Sequence, residues 1–146
     1  TFWKRTVPSP MLKTFDAPER EFCTIRRSRT NTPLQALVLL NGPQFVEAAR
    51  KLGERMIAEG GKSLAEKISH GFRLVTSRRP KPAELAVLES AYRAALKRYA
   101  GDEAGALRLL KVGESSYAAE VDVKKLAALA AVARLLLNIN EAITKG

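Results

Sequence analysis

The sequence predicts an all-α protein: a compact bundle of five to six helices with an extended N-terminal arm. Three observations predict it. Alanine and leucine dominate the apolar residues while β-branched runs are scarce, a composition that favours helix over strand. Proline and capping residues mark one helix start after another. Between those marks, apolar residues recur at spacings of three and four. At 146 residues, 46% of them hydrophobic, the chain can bury a core without a disulfide or a metal.

Residues 1–30 carry no sustained helical period and are broken by Pro8, Pro10 and Pro18. They predict a basic arm laid over the body, pinned by Phe2, Trp3, Phe15, Phe22 and Ile25. Residues 31–146 then form the helical domain, so that one domain is expected overall. Its first helix is sharply marked. Thr32 is an N-cap, Pro33 suits the first helical position, and Gln35 completes a Thr-x-x-Gln capping box. The run from Leu34 to Leu40 is apolar on nearly every side, which predicts a buried helix. Asn41-Gly42-Pro43 stops it and opens the next.

That second helix runs from about Pro43 to Glu59, with Phe45, Ala49, Leu52 and Met56 as its apolar stripe. Glu47, Arg50, Lys51, Glu54 and Arg55 fall mostly off the stripe. A Ser63-x-x-Glu66 capping box begins the third helix, whose stripe is Leu64, Ile68, Phe72 and Val75, with Gly71 marking a close crossing. Pro82 opens a fourth, facing inward through Leu85, Leu88, Tyr92, Leu96 and Tyr99. Asp102 caps a short fifth helix that ends near Gly113, and residues 114–121 form a loop. Asp122 caps the last, apolar through Leu126, Leu129, Val132, Ala133, Leu136, Leu137 and Ile143. Asn138 and Asn140 interrupt its apolar character and need partners if buried.

The net charge is +10 and is unevenly placed. Residues 1–82 hold sixteen Lys/Arg against seven Asp/Glu, whereas residues 83–146 hold nine against eight. The first half therefore attracts anions. Nucleic acid is the weakest candidate partner: the aromatics sit in apolar patterns, no recognition motif occurs, and the last 64 residues are nearly neutral. No apolar run reaches the ~18 residues of a membrane span, and no stretch reads as a signal peptide.

Enzyme templates fail on the residues. There is no Gly-x-Ser-x-Gly elbow, no phosphate-binding glycine loop and no His-Glu-x-x-His. One histidine, His70, and one cysteine, Cys23, provide no metal cage, and the absence of Cys-x-x-Cys-His means that this segment cannot attach haem covalently in the c-type way. His70 is expected at the surface or core boundary. Cys23 is expected to be a small buried hydrophobe, with a thiol activated by Arg26 and Arg27 as the alternative.

The sharpest candidate site is in "TIRRSRTNTPLQALVLLN", residues 24–41. Arg26, Arg27 and Arg29 precede a helix N-terminus, where free N–H groups favour an anion, and Asn31 and Gln35 add neutral donors. The competing expectation is structural: the arginines pair with Asp16, Glu19 and Glu21 and tie the arm down.

The pieces Phe2-Trp3-Lys4-Arg5, Phe15-Asp16-Ala17-Pro18, Arg26-Arg27 and Thr30-Asn31-Thr32-Pro33-Leu34-Gln35-Ala36-Leu37 closely resemble a known domain. So do "FRLVTSRRPKPAEL" (72–85), "VGES" (112–115) and "ARLLLNINEAI" (133–143). It is the C-terminal domain of unknown function found in large planctomycete proteins that carry a cytochrome c domain near their N-terminus. The chain departs from that pattern at Ala142, where an aromatic is common. The resemblance implies the C-terminal part of an exported or periplasmic bacterial protein. It implies haem elsewhere in the parent chain, other domains of that parent as partners, and sulfated polysaccharide as an anionic ligand. It implies no reaction. Two functions compete: a helical interaction or structural module, and a portion of a hydrolytic or haem-linked redox enzyme completed by upstream residues.

Overall fold

The computed structural model describes residues 9–18, 23–26, 30–118 and 120–143. Phe2, Trp3, Glu19, Glu21, Phe22, Arg27 and Arg29 lie outside them. The described residues form eight helices: α1 (Pro10–Thr14), α2 (Pro33–Asn41), α3 (Pro43–Glu59), α4 (Leu64–Thr76), α5 (Pro82–Gly101), α6 (Glu103–Leu110), α7 (Val123–Leu137) and α8 (Asn140–Ile143). No strand occurs among them. The all-α bundle expected from composition is the one observed, with six body helices, α2–α7, and a short helix at either end.

The bundle is organised around α7. Leu126, Ala127, Ala128, Leu129, Ala130, Val132, Ala133 and Leu136 are all buried, so the middle of this helix, residues 126–130, is covered on every side, while Leu135 near its end is exposed. It packs most extensively on α3 and α5 and also touches α2, α4, α6 and α8. Its alanines permit a close crossing. A Cβ placed on Gly53 of α3 would lie 3.2 Å from the Ala130 nitrogen, so the two backbones nearly touch. Two apolar clusters lie along α7. One joins Met56, Ile68, Phe72 and Leu88 to Leu129, Val132 and Leu136. The other joins Tyr99, Ala106 and Leu110 to Leu126 and Ala127. Gly71 does mark a close approach: a Cβ there would stand 2.6 Å from the sulfur of buried Met56.

The capping signals are realised at atomic detail. The Thr32 hydroxyl accepts from the Gln35 N–H at 3.3 Å, and the Gln35 side-chain carbonyl accepts from the Thr32 N–H at 2.9 Å. Ser63 and Glu66 make the same reciprocal pair at the start of α4. Asp102 and Asp122 accept from backbone N–H groups at the starts of α6 and α7.

Five expectations need correction. First, α2 is not buried: Leu34 and Leu37 are 56% and 57% exposed, and only Gln35 and Leu39 are covered. A helix that is apolar all round carries no information about which side is covered. Second, the arm is not extended throughout, because Pro10 starts a one-turn helix ending at Thr14. Third, the last helix ends at Leu137. Asn138 leaves helical geometry at φ −103° and ψ 1°, and α8 starts anew at Asn140. Fourth, Ile25 is fully exposed and anchors nothing, while Phe15 does pack on Phe45 with ring centroids 5.9 Å apart. Fifth, Cys23 is exposed, so it is no core residue.

Candidate functional site

Capping and hydrogen bonding fix the α2 entrance, where the candidate residues converge. Buried Gln35 donates its amide to the Thr14 carbonyl at 2.8 Å and to the Thr30 hydroxyl at 2.9 Å. Its carbonyl is taken by Thr32. All of its polar atoms therefore serve to stitch the arm to α2. Asp16 accepts both the Thr30 N–H and the Thr30 hydroxyl, at 2.9 and 2.8 Å. Those bonds, the hydroxyl first, hold its carboxyl below the usual aspartate range. Asn31 donates to the side-chain carbonyl of Asn140 at 2.9 Å, linking the α2 entrance to α8.

The structure thus joins Asn31 and Gln35 to the arm and to α8. Arg26 stands exposed, and Arg27 and Arg29 lie outside the described residues. Asp16, one of the carboxylates expected to hold the arginines, is occupied by Thr30. His70 is half-buried, with Nε2 3.2 Å from Glu59, as a boundary residue should be.

The most developed polar network was missed by the apolar stripe. Arg50 of α3, off that stripe, is fully buried. One guanidinium nitrogen donates to Glu54 at 2.8 Å and to the Ser116 carbonyl at 3.0 Å. The other donates to both the carbonyl and the hydroxyl of Ser115 at 2.8 Å. Glu47 completes the clamp, accepting from the Glu114 and Ser115 N–H groups at 3.1 and 2.8 Å and from the Ser115 hydroxyl. Led by the Ser115 hydroxyl, these bonds lower the Glu47 carboxyl to about 2. At neutral pH it is a firm anion, unsuited to general-base work. The clamp's chemistry is the fixing of the 114–116 loop. A sequence signal was present: Glu47, Arg50 and Glu54 sit at i, i+3 and i+7, one face carrying acid, base and acid.

A second clamp lies at the α4–α5 turn. Ser77 takes a left-handed conformation, φ 63°, and turns the chain. Arg78 then bonds Glu84 at 2.7 and 2.8 Å and Glu141 at 2.9 Å through two nitrogens, with its guanidinium 4.8 Å from the Phe72 ring centroid. Glu84 is lowered to about 2, chiefly by Arg78. This arginine ties α8 to α5.

Beside α2 lies an open apolar groove of about 620 Å³, lined by Phe15, Leu39, Phe45, Leu52, Leu74 and Leu137 among others. Phe45 and Leu52, expected in the core stripe, are half-buried here, because α3 is rotated so that Val46, Ala49, Arg50, Gly53 and Met56 face inward. Among the described residues no group of three or more His, Cys, Asp or Glu side chains is placed to hold a metal. No helix there is long and apolar enough to cross a membrane.

A family model described as "Protein of unknown function (DUF1553)" matches residues 1–92. No curated protein and no solved structure matches.

Proposed function

We propose, for a chain that belongs to the DUF1553 family, that this segment is a non-catalytic helical interaction module that docks through α2 onto another domain of a larger parent protein. The observation that carries the reading is α2 itself. Its two outward leucines, Leu34 and Leu37, are more than half exposed, and its inner side, through Leu39, lines the apolar groove. Exposed leucines next to an open apolar groove mark an interaction surface. Fully burying an exposed leucine is worth about 1.5–3 kcal/mol; a little over half of that surface is still open at Leu34 and Leu37, so covering each supplies about 1–1.5 kcal/mol of a domain interface.

The polar networks support the same reading. Gln35, Glu47, Arg50 and Arg78 spend their hydrogen bonds on fixing the arm, the 114–116 loop and α8. Gln35 and Arg78 thereby hold the arm and α8, whose Phe15, Ala142 and Ile143 line the groove. The proposal takes the parent to be an exported bacterial protein, with any haem carried elsewhere in it. It keeps Arg26, Arg27 and Arg29, which precede α2 in the sequence, as an anion contact for an acidic neighbour or a sulfated polysaccharide, with Asn31 and Gln35 in the same stretch.

The test is the Leu34→Glu/Leu37→Glu double variant in the full-length parent. It should lower the melting temperature of the parent and expose residues 33–41 to protease. A parent that melts and resists cleavage as before would refute the docking surface.

A further inference from the structure

A groove of about 530 Å³ runs along the outer face of α4, from the C-terminal end of α3 to the turn before α5. Gly60, Gly61 and Ala65 give it a small-residue wall. Ser69, His70, Arg73 and Arg79 line it with polar groups, and so do the carboxylates Glu59 and Glu66.

The distribution of ion pairs singles this groove out. Among the described residues, Arg50, Arg55, Arg78, Arg93 and Arg108 all face carboxylates. Arg134 donates to the Leu40 carbonyl, and Arg98 lies over the Tyr99 ring. Arg26, Arg73 and Arg79 have no such partner, and two of these three line one groove.

The acids that line the groove, Glu59 and Glu66, and those beside it are already committed. Glu59 takes Arg55 through both oxygens, at 2.9 and 3.0 Å, and His70 at 3.2 Å. Glu66 accepts the Lys62 and Ser63 N–H groups at 3.0 and 2.8 Å. Glu84 and Glu141 are occupied by Arg78, so Arg79 beside it goes without. The left-handed Ser77 reverses the chain and returns Arg79 to the groove that Arg73 enters from the last turn of α4. Two exposed guanidinium groups without an ion-pair partner, and a hydroxyl, line one groove whose carboxylates are already bonded elsewhere, and they suit a tetrahedral oxyanion, whose oxygens accept the fork of each arginine.

We propose that this groove is an oxyanion-binding site, in which Arg73 and Arg79 hold a phosphate or sulfate group and Ser69 contributes a neutral hydrogen bond. The site is separate from the Arg26–Gln35 stretch and does not depend on the docking role of α2.

The probes are inorganic phosphate and inorganic sulfate, each titrated into the chain by calorimetry against chloride at equal ionic strength. Saturable binding is expected for at least one of them, and the tighter of the two identifies the ester class the site takes. Arg73→Gln and Arg79→Gln should each weaken that binding at least tenfold, equivalent to about 1.4 kcal/mol. Arg93→Gln removes an arginine paired with Glu89 on α5 and should leave the titration unchanged. Circular dichroism of each variant separates lost binding from lost folding. Absence of saturable binding to either anion, or Arg73→Gln and Arg79→Gln binding as wild type does, overturns the site. So does a response abolished by Arg26→Gln alone, which would move the anion to the arm.

Discussion

Replacing Arg50 by methionine removes the charge at the centre of the α3–loop clamp while keeping most of the side-chain volume. Arg50 is 0% exposed and makes four hydrogen bonds, three of them to Ser115 and Ser116. Losing one partner of a buried ionic network typically costs about 3–5 kcal/mol. Here the cost belongs at the lower end. Ser115 and Ser116 are exposed, so their oxygens can rehydrate, and Glu54 keeps Lys51 at 2.9 Å. The expected loss is about 3 kcal/mol, or about 10 °C in melting temperature at roughly 3 °C per kcal/mol for a chain of this size. Urea unfolding with a shared m-value measures it. Amide exchange should rise at Glu114 and Ser115, whose N–H groups depend on Glu47. A variant within about 0.5 kcal/mol of wild type, inside the range of ordinary surface substitutions, would show that the clamp contributes nothing to stability.

Acid unfolding should be steep between about pH 4.5 and 2. Glu47 and Glu84 both fall from 4.5 unfolded to about 2 folded, so the stability they add is full above 4.5 and is lost as pH drops through the folded value. Glu47→Gln should flatten part of that limb, and an unchanged slope would contradict the assignment. Gly71→Ala should destabilise by about 1–2 kcal/mol, since overpacking Met56 outweighs the gain in helix propensity; chemical denaturation checks it, and Met56→Val in the same chain should restore part of the loss. Arg78→Lys should lower the melting temperature and speed amide exchange at residues 140–143, because an ammonium cannot fork onto Glu84 and Glu141 while lying over Phe72. Exchange equal to wild type would remove α8 from that clamp.

Helix starts were the most legible feature of this sequence, because they are local. Thr32, Ser63, Asp102 and Asp122 bond N–H groups two or three residues away, and nothing distant can alter that arithmetic. The turn at Asn41-Gly42-Pro43 and the loop after α6 were legible for the same reason. Which side of a helix is covered depends on neighbours far along the chain. A stripe of Phe45, Ala49, Leu52 and Met56 was a sound template for α3, yet the helix turns Arg50 inward because the 114–116 loop offers carbonyls more than sixty residues on. For α2, apolar on every face, periodicity had nothing to say, and the exposure of Leu34 and Leu37 became visible only in the fold. The candidate anion stretch was legible as charge. Half of its meaning, the use of Gln35 as a stitch to Thr14 and Thr30, depended on the arm's path.

Hydrogen–deuterium exchange over residues 33–41, compared between this segment alone and the full-length parent, tests the docking role of α2 most directly. Backbone amides near an uncovered helix face open readily, and covering the face raises the free energy of opening. The account predicts slower exchange across Leu34–Leu40 in the parent, with α7 unchanged because it is already buried in the segment. Equal exchange of α2 in the two proteins would contradict it.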